Sequence, residues 1–208
     1  SKQRVDNAIR EAKKAAELDD DNAAAHNVLG NAYFQKGMFN EGVAELNRAL
    51  ERNPKLVDAH INKGLFYLRK GKTGEGEAEL ISAVRINPDI LDSRMVLASY
   101  YQKSGAYNKA MSVLREGLKG DPSDSVLYDM MAETYLQQNN VNEAVSYYRK
   151  AMDAKPDDAH AALRLATIHA SKGERDKAIQ VLTGYVDRSP GNVRILTALA
   201  SLHEAAGD

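Results

Sequence analysis

Gly71-Lys72-Thr73 is the string in this chain nearest to a phosphate-binding loop. Five histidines and 29 acidic residues supply the usual material of metal sites and acid–base pairs. A phosphate loop needs a glycine five residues before the one that precedes the lysine, and a strand leading into it, so that backbone N–H groups can cradle the phosphates. Phe66 holds that place and the flanking pattern is helical, so an ordinary turn is expected. His26 and His60 are separated by the same interval as His169 and His203. Equivalent places in neighbouring packed helices stand on the order of 10 Å apart, too far to share a metal whose bonds are about 2 Å. Each is expected to pack with one ring nitrogen satisfied. No His-Glu-x-x-His string and no nucleophile elbow occurs, and the carboxylates spread over faces expected to be solvated. Cysteine is absent, which removes disulfides and thiolate metal sites. The chain reads as a non-enzyme with no catalytic, metal or cofactor site.

The histidine spacing belongs to a larger pattern. The five prolines fall at Pro54, Pro88, Pro122, Pro156 and Pro190, at one constant interval that the histidine pairs share. A fixed period of this size marks a stacked array. With position 1 at Ala23, position 8 is always small (Gly30, Gly64, Ala98, Ala132, Ala166, Ala200), and so is position 20 (Ala8, Gly42, Gly76, Ala110, Ala144, Ala178). Helices approach closely only where neither carries bulk, so these mark the crossing within a hairpin. Position 15 reads Gly37, Gly71, Gly105, Asn139, Gly173 and Gly207, the residues that follow a helix in the left-handed conformation. Position 18 reads Asp6, Asn40, Gly74, Asn108, Asn142 and Asp176, suited to an N-cap. Each repeat is therefore expected to be helix A, a tight turn, helix B, and a proline-marked turn.

Tyr33, Tyr67, Tyr101 and Tyr135 at position 11, Leu29 and Leu97 at 7, and Ala49, Ala83 and Ala151 at 27 complete a pattern that resembles the tetratricopeptide repeat family. The resemblance covers the whole chain and implies an all-α, right-handed superhelix of antiparallel hairpins. Five full repeats are expected at 23–56, 57–90, 91–124, 125–158 and 159–192, with 1–22 a lone helix B and 193–208 a lone helix A, in one solenoid. It also implies that helix A lines a concave groove through positions 2, 5, 6, 9, 12 and 13. The groove residues are then Asn27, Asn31 and Phe34 in the first repeat. Ile61, Asn62, Leu65, Leu68 and Arg69 follow in the second, and Met95, Gln102 and Lys103 in the third. Apolar Ile61, Leu65, Leu68 and Met95 on a wet face suit an interaction site. Arg69 and Lys103 are expected to form a cationic pair, and the asparagines to bond a peptide backbone. Asp92 and Val96 stand where the chaperone-binding members of the family carry cations, which disfavours that carboxylate clamp. The asparagine ladder of the glycosyltransferase-linked arrays is also missing.

A formal net charge of −1 argues against nucleic acid as the main partner, and no apolar run is long enough to insert in a membrane. The expected function is a scaffold for a protein or peptide ligand. Two alternatives are self-assembly end to end, and a substrate-recruiting arm of a larger enzyme. The first rests on two uncovered stripes, Val5, Ala8, Ile9, Ala12 and Ala15 at one end and Leu196, Leu199, Ala200 and His203 at the other. The regularity resembles arrays of bacterial envelope proteins in style; the chain starts in mid-repeat and is expected to be cut from a longer array. Three local expectations complete the picture. The glycine-rich turn at 71–76, followed by Glu77, should be the softest; Lys63 should lay its stem on an interface with its amine in water; and Tyr185 should widen its packing or turn outward.

Overall fold

The computed structural model describes residues 2–204, and Gly207 of the position-15 series lies outside them. Among the described residues the chain forms twelve helices and no strands. Helix α1 spans Lys2–Leu18. The hairpins are α2 (Ala23–Lys36) with α3 (Phe39–Arg52), α4 (Val57–Arg69) with α5 (Thr73–Ile86), and α6 (Leu91–Lys103) with α7 (Tyr107–Arg115). Then come α8 (Asp124–Gln137) with α9 (Val141–Ala154), α10 (Ala159–Ser171) with α11 (Arg175–Val186), and last α12 (Val193–Glu204). The fold is all-α, built of stacked antiparallel hairpins. Two compact units divide the chain inside α6, one up to Leu97 and one from Ala98 onward.

The turn between the helices of each hairpin follows the expected chemistry. Gly37, Gly71, Gly105 and Gly173 have φ of 75–84°, and Asn139 holds the same place at 60°. The N-cap expectation needs correcting. Helix B begins one residue before position 18, and its cap is position 16, occupied by Met38, Lys72, Ala106, Asn140 and Glu174, none of which makes a side-chain cap bond. The left-handed residue turns the chain so sharply that the position-16 carbonyl already accepts from position 20, as in Gly42 N to Met38 O at 3.0 Å. Position 18 is thereby free to bond the next hairpin. Asp6 pairs with Lys36 at 2.8 Å, and Asn142 accepts from Lys172 at 3.2 Å.

The proline-marked turns have their own device. Asp19, Asn53, Asn87 and Asp121 at position 31 each accept from the backbone N–H two residues on, at 2.7–3.1 Å. Such a turn suits a chain that must stop one helix and restart another within a few residues. Asn22 and Asp158 at position 34 then cap the following helix A.

In the first unit the core gathers Phe34, Leu46, Ala49 and Ala59, with Phe66 packed against them. A Cβ on Gly30 would meet Gly42 O and Leu46 Cγ at 2.9 Å, and one on Gly42 would meet the Phe34 ring at 2.4 Å. Gly64 and Gly76 repeat this crossing with Leu80 and Leu68. In the second unit alanine suffices: Ala132 with Ala144, and Ala166 with Ala178, all nearly or fully buried. Tyr148 replaces leucine at position 24, fully buried, and its hydroxyl donates to Glu133 at 2.7 Å.

The three local expectations concern helix α5, Lys63 and Tyr185. Helix α5 runs full length after the glycine-rich turn, and the short helix B is α7, nine residues, after which Asp124 accepts from Lys119 and Gly120 N–H at 2.9 and 2.7 Å. Lys63 does not end in water: its amine pairs with Glu79 at 3.0 Å and its side chain is 16% exposed. Of the two outcomes expected for Tyr185, turning outward is not the one seen: it is buried, with its hydroxyl donating to Asp157 O at 3.3 Å.

Candidate functional site

Four histidines, His26, His60, His160 and His169, each meet a carboxylate. In the first unit His26 Nδ1 meets Glu45 Oε2 at 2.6 Å, and its Nε2 meets the Asp20 carbonyl at 3.3 Å. One repeat on, His60 meets Glu79 at 2.6 Å and the Pro54 carbonyl at 3.1 Å. In the third repeat Arg94 stands at position 4 and donates to the matching carbonyl of Pro88 at 3.2 Å. The expectation of one satisfied ring nitrogen is corrected at His26 and His60, where both ring nitrogens are engaged. His169 grips Glu174 at 2.6 Å across the turn of its hairpin, and its bond together with that of Lys177 pulls the Glu174 carboxyl down to about 2. Among the described residues no group of three acidic or histidine side chains is placed to hold a metal.

A polar groove of about 380 Å³ opens on the helix-A side of the first unit. Asn27, Val28, Asn31 and Gln35 line it from α2, Asn62 from α4, and Arg4, Val5 and Ala8 from α1. Asn62 Nδ2 donates to Asn27 Oδ1 at 2.9 Å, which fixes the two amides against each other. Asn31 and Gln35 are exposed, and Val28 is half exposed. The groove therefore offers free carboxamides, one guanidinium and a small apolar contact. Arg4, Val5 and Val28 are additions to the expected set. Helix α1 reads as a helix B, and only its packing on α2 brings its first turns to this face.

The remaining expected groove residues divide. Leu65 is 42% exposed, Ile61, Leu68 and Met95 are half-buried, and Arg69 is exposed at the end of α4. Lys103 is exposed in the second unit. Phe34 and Gln102 are placed inside instead. Phe34 is buried, stacked on Phe66 at a centroid distance of 4.4 Å, because Gly42 leaves room for its ring. Gln102 is buried and donates to Met130 O at 2.9 Å and to Thr134 Oγ1 at 2.8 Å. At these two places position 12 seals the seam between hairpins rather than facing the groove.

The second unit carries a denser set of charges on α8 and α10. His160 Nδ1 meets Asp129 Oδ2 at 2.7 Å, and Arg164 meets Glu133 at 2.6 Å. Asp129 is buried, and its Oδ1 has no hydrogen-bond partner. Burial first, then the charges of Asp158 and Glu133, push its carboxyl up from 3.8 to about 6 against the pull of His160. A folded carboxyl raised above its unfolded value contributes stability that is complete below about pH 4 and is lost as pH rises through about 6. Asp129→Asn should therefore flatten that part of the stability curve. Urea midpoints compared near pH 4.5 and 7.5 should show the substitution stabilising at the higher pH only, by about 1–2 kcal/mol.

Family models now bear on this geometry. A tetratricopeptide repeat model matches residues 135–202, a TPR repeat model matches 30–71, and a further tetratricopeptide repeat model matches 57–90 and 91–124. The last two spans coincide with the second and third repeats of the proline frame. The chain is a tetratricopeptide repeat protein. No curated protein matches this tetratricopeptide array. Among solved structures it is similar to Pseudomonas aeruginosa PilF, at 20% identity over 91% of this chain and 86% of that one, with a TM-score of 0.65. Yeast Tom70 matches at 19% identity over 95% of this chain, which spans 42% of Tom70, with a TM-score of 0.70. YrrB, described as a TPR protein with an unusual peptide-binding site, matches at 20% identity over 90% of this chain and 96% of its own, with a TM-score of 0.54. At these identities the likeness establishes the fold. No described helix is long and apolar enough to cross a membrane.

Proposed function

We propose that this repeat array is a non-catalytic scaffold that holds an extended segment of a partner protein along its A helices. The observation that carries this reading is the first-unit groove, where Asn31, Asn62 and Gln35 converge with Arg4 beside half-exposed Val28. Carboxamides both donate and accept, so they suit the N–H and C=O groups of an extended backbone, which an enzyme pocket has no need to pair in series. Leu65 and Ile61 supply an apolar contact on the next helix A. Arg69, and separately Lys103 in the second unit, are each proposed to attract an acidic residue. The peptide-binding site for which YrrB is described lends support by fold alone.

A selection of random extended peptides against the intact protein tests this. Selected peptides should weaken about tenfold or more on a combined Leu65→Ala and Arg69→Ala substitution, since one buried leucine alone accounts for that much. Unchanged affinity would assign these residues to ordinary solvated surface.

A second reading has one observation in its favour. Helix α12 leaves Val193 73% and Leu196 41% exposed, a face on which another copy's α1 would seat in helix-B register. Sedimentation that shifts to larger species with rising concentration supports end-to-end assembly, and a concentration-independent monomer removes it.

A further inference from the structure

Position 12 and position 10 of the following repeat form a seam that most hairpins fill. Phe34 stacks on Phe66, Gln102 bonds Thr134 at 2.8 Å, and Leu136 packs with Ile168 in one core cluster. In the fifth repeat the pair is Ala170 with Leu202, and the space stays open. Leu163, Ala166 and Ala170 of α10, Leu182 of α11, and Ala198 and Leu202 of α12 enclose a cleft of about 280 Å³. Its walls are apolar. The hydroxyls of Thr167 and Ser201 at its mouth donate back to Leu163 O and Thr197 O at 2.8 and 3.0 Å, and so face outward only as acceptors.

The other side of α10 is charged. Asp129 and Glu133 on α8 and Asp158 before α10 set three carboxylates against the guanidinium of Arg164. Glu133 keeps 29% of its side chain exposed, so a cation arriving there would compete with Arg164 for its carboxylate, while buried Asp129, together with Asp158, adds to the negative field.

We propose that the α10–α12 cleft is an anchor pocket for a leucine- or phenylalanine-sized side chain of a partner polypeptide, whose lysine or arginine lies over the Asp129–Glu133 side of α10. The chain itself indicates the shape of the guest, because equivalent seams are closed by its own Phe34 and Leu136. Neighbouring A helices stand about 10 Å apart, so about three residues of extended chain separate the two anchors. The backbone N–H beside the apolar residue would donate to Thr167 or Ser201 Oγ. This inference rests on the scaffold reading and extends it to a second, separate site.

The test uses blocked tetrapeptides as probes, Lys-Gly-Gly-Leu and its reverse order, titrated into the intact protein with methyl NMR as the readout. Saturable shifts are expected at the methyls of Leu163, Leu182 and Leu202. Replacing the probe's leucine by alanine should weaken binding about tenfold or more. Replacing its lysine by glutamate should weaken it about two- to threefold at low salt, and less at high salt. Ala170→Leu, which restores the residue found at Leu68 and Leu136, should abolish the shifts while leaving the thermal midpoint equal or higher. Absence of saturation, equal binding of the leucine and alanine probes, or shifts that persist with Ala170→Leu would overturn the pocket. Equal binding of the lysine and glutamate probes would overturn the cationic anchor. Shifts that grow with protein concentration before any probe is added would assign the cleft to a second copy instead. Failure here leaves the peptide selection at Leu65 and Arg69 unaffected, so the two outcomes are read separately.

Discussion

Gly42→Ala is expected to destabilise the protein by about 2 kcal/mol, although alanine is the better helix former by about 1 kcal/mol. The new methyl would lie 2.4 Å from the Phe34 ring. That ring has nowhere to go, because Phe66 stacks on its other face at 4.4 Å and Gly30 O stands 3.0 Å from the same methyl. Phe34→Leu should relieve the clash, since a leucine at position 12 over an alanine at position 20 is the pair this chain already uses at Leu136 and Ala144. Urea unfolding of the two single variants and the double variant gives the coupling. The double variant should return to within about 1 kcal/mol of the parent, and additivity would mean that ring and glycine do not share the seam.

The second large effect concerns the clasp in the second repeat. Glu79 receives His60 at 2.6 Å and Lys63 at 3.0 Å, and all three side chains are less than one-fifth exposed. Glu79→Ala strands a lysine amine on the seam between helices, which should lose about 2–3 kcal/mol in the same measurement, most of it the penalty of an unpaired, poorly hydrated charge. Lys63→Leu places at position 7 the residue found at Leu29 and Leu97 and removes that charge. With Lys63→Leu in place, Glu79→Ala should cost much less, because only the His60 bond is then broken. A full-sized loss in that background would locate the importance of Glu79 in His60 alone.

Much of the fold is legible in the chain because its determinants are periodic and local. The small residues at positions 8 and 20 meet in the crossings, and the left-handed series at position 15 includes Asn139, the one non-glycine residue with positive φ among those described. The N-cap register is not legible, because a left-handed turn starts helix B two residues sooner than polar side chains suggest. Lys63 reads as a side chain reaching water because its partner, Glu79, stands on the following helix. A recurring signal is present there, since His26 and Glu45 are separated by the same interval as His60 and Glu79. The groove is legible only in part. Asn27, Asn31 and Asn62 line it and Leu65 is exposed on the next helix A, but whether a position-12 side chain faces out or in depends on the bulk opposite it. That property of two helices together sends Phe34 and Gln102 inward. Arg4 is invisible in the sequence, because it comes to the groove from α1, a helix whose pattern reads as a helix B.

The central claim is that the exposed face of the A helices holds an extended partner segment. The measurement that tests it most directly is a filtered NOE spectrum of the protein bound to a selected peptide. Contacts from the peptide's backbone and side chains to the side-chain amides of Asn31 and Asn62 and to the Leu65 methyls are the predicted result. Contacts confined to the outer faces of α3 and α5 would contradict it.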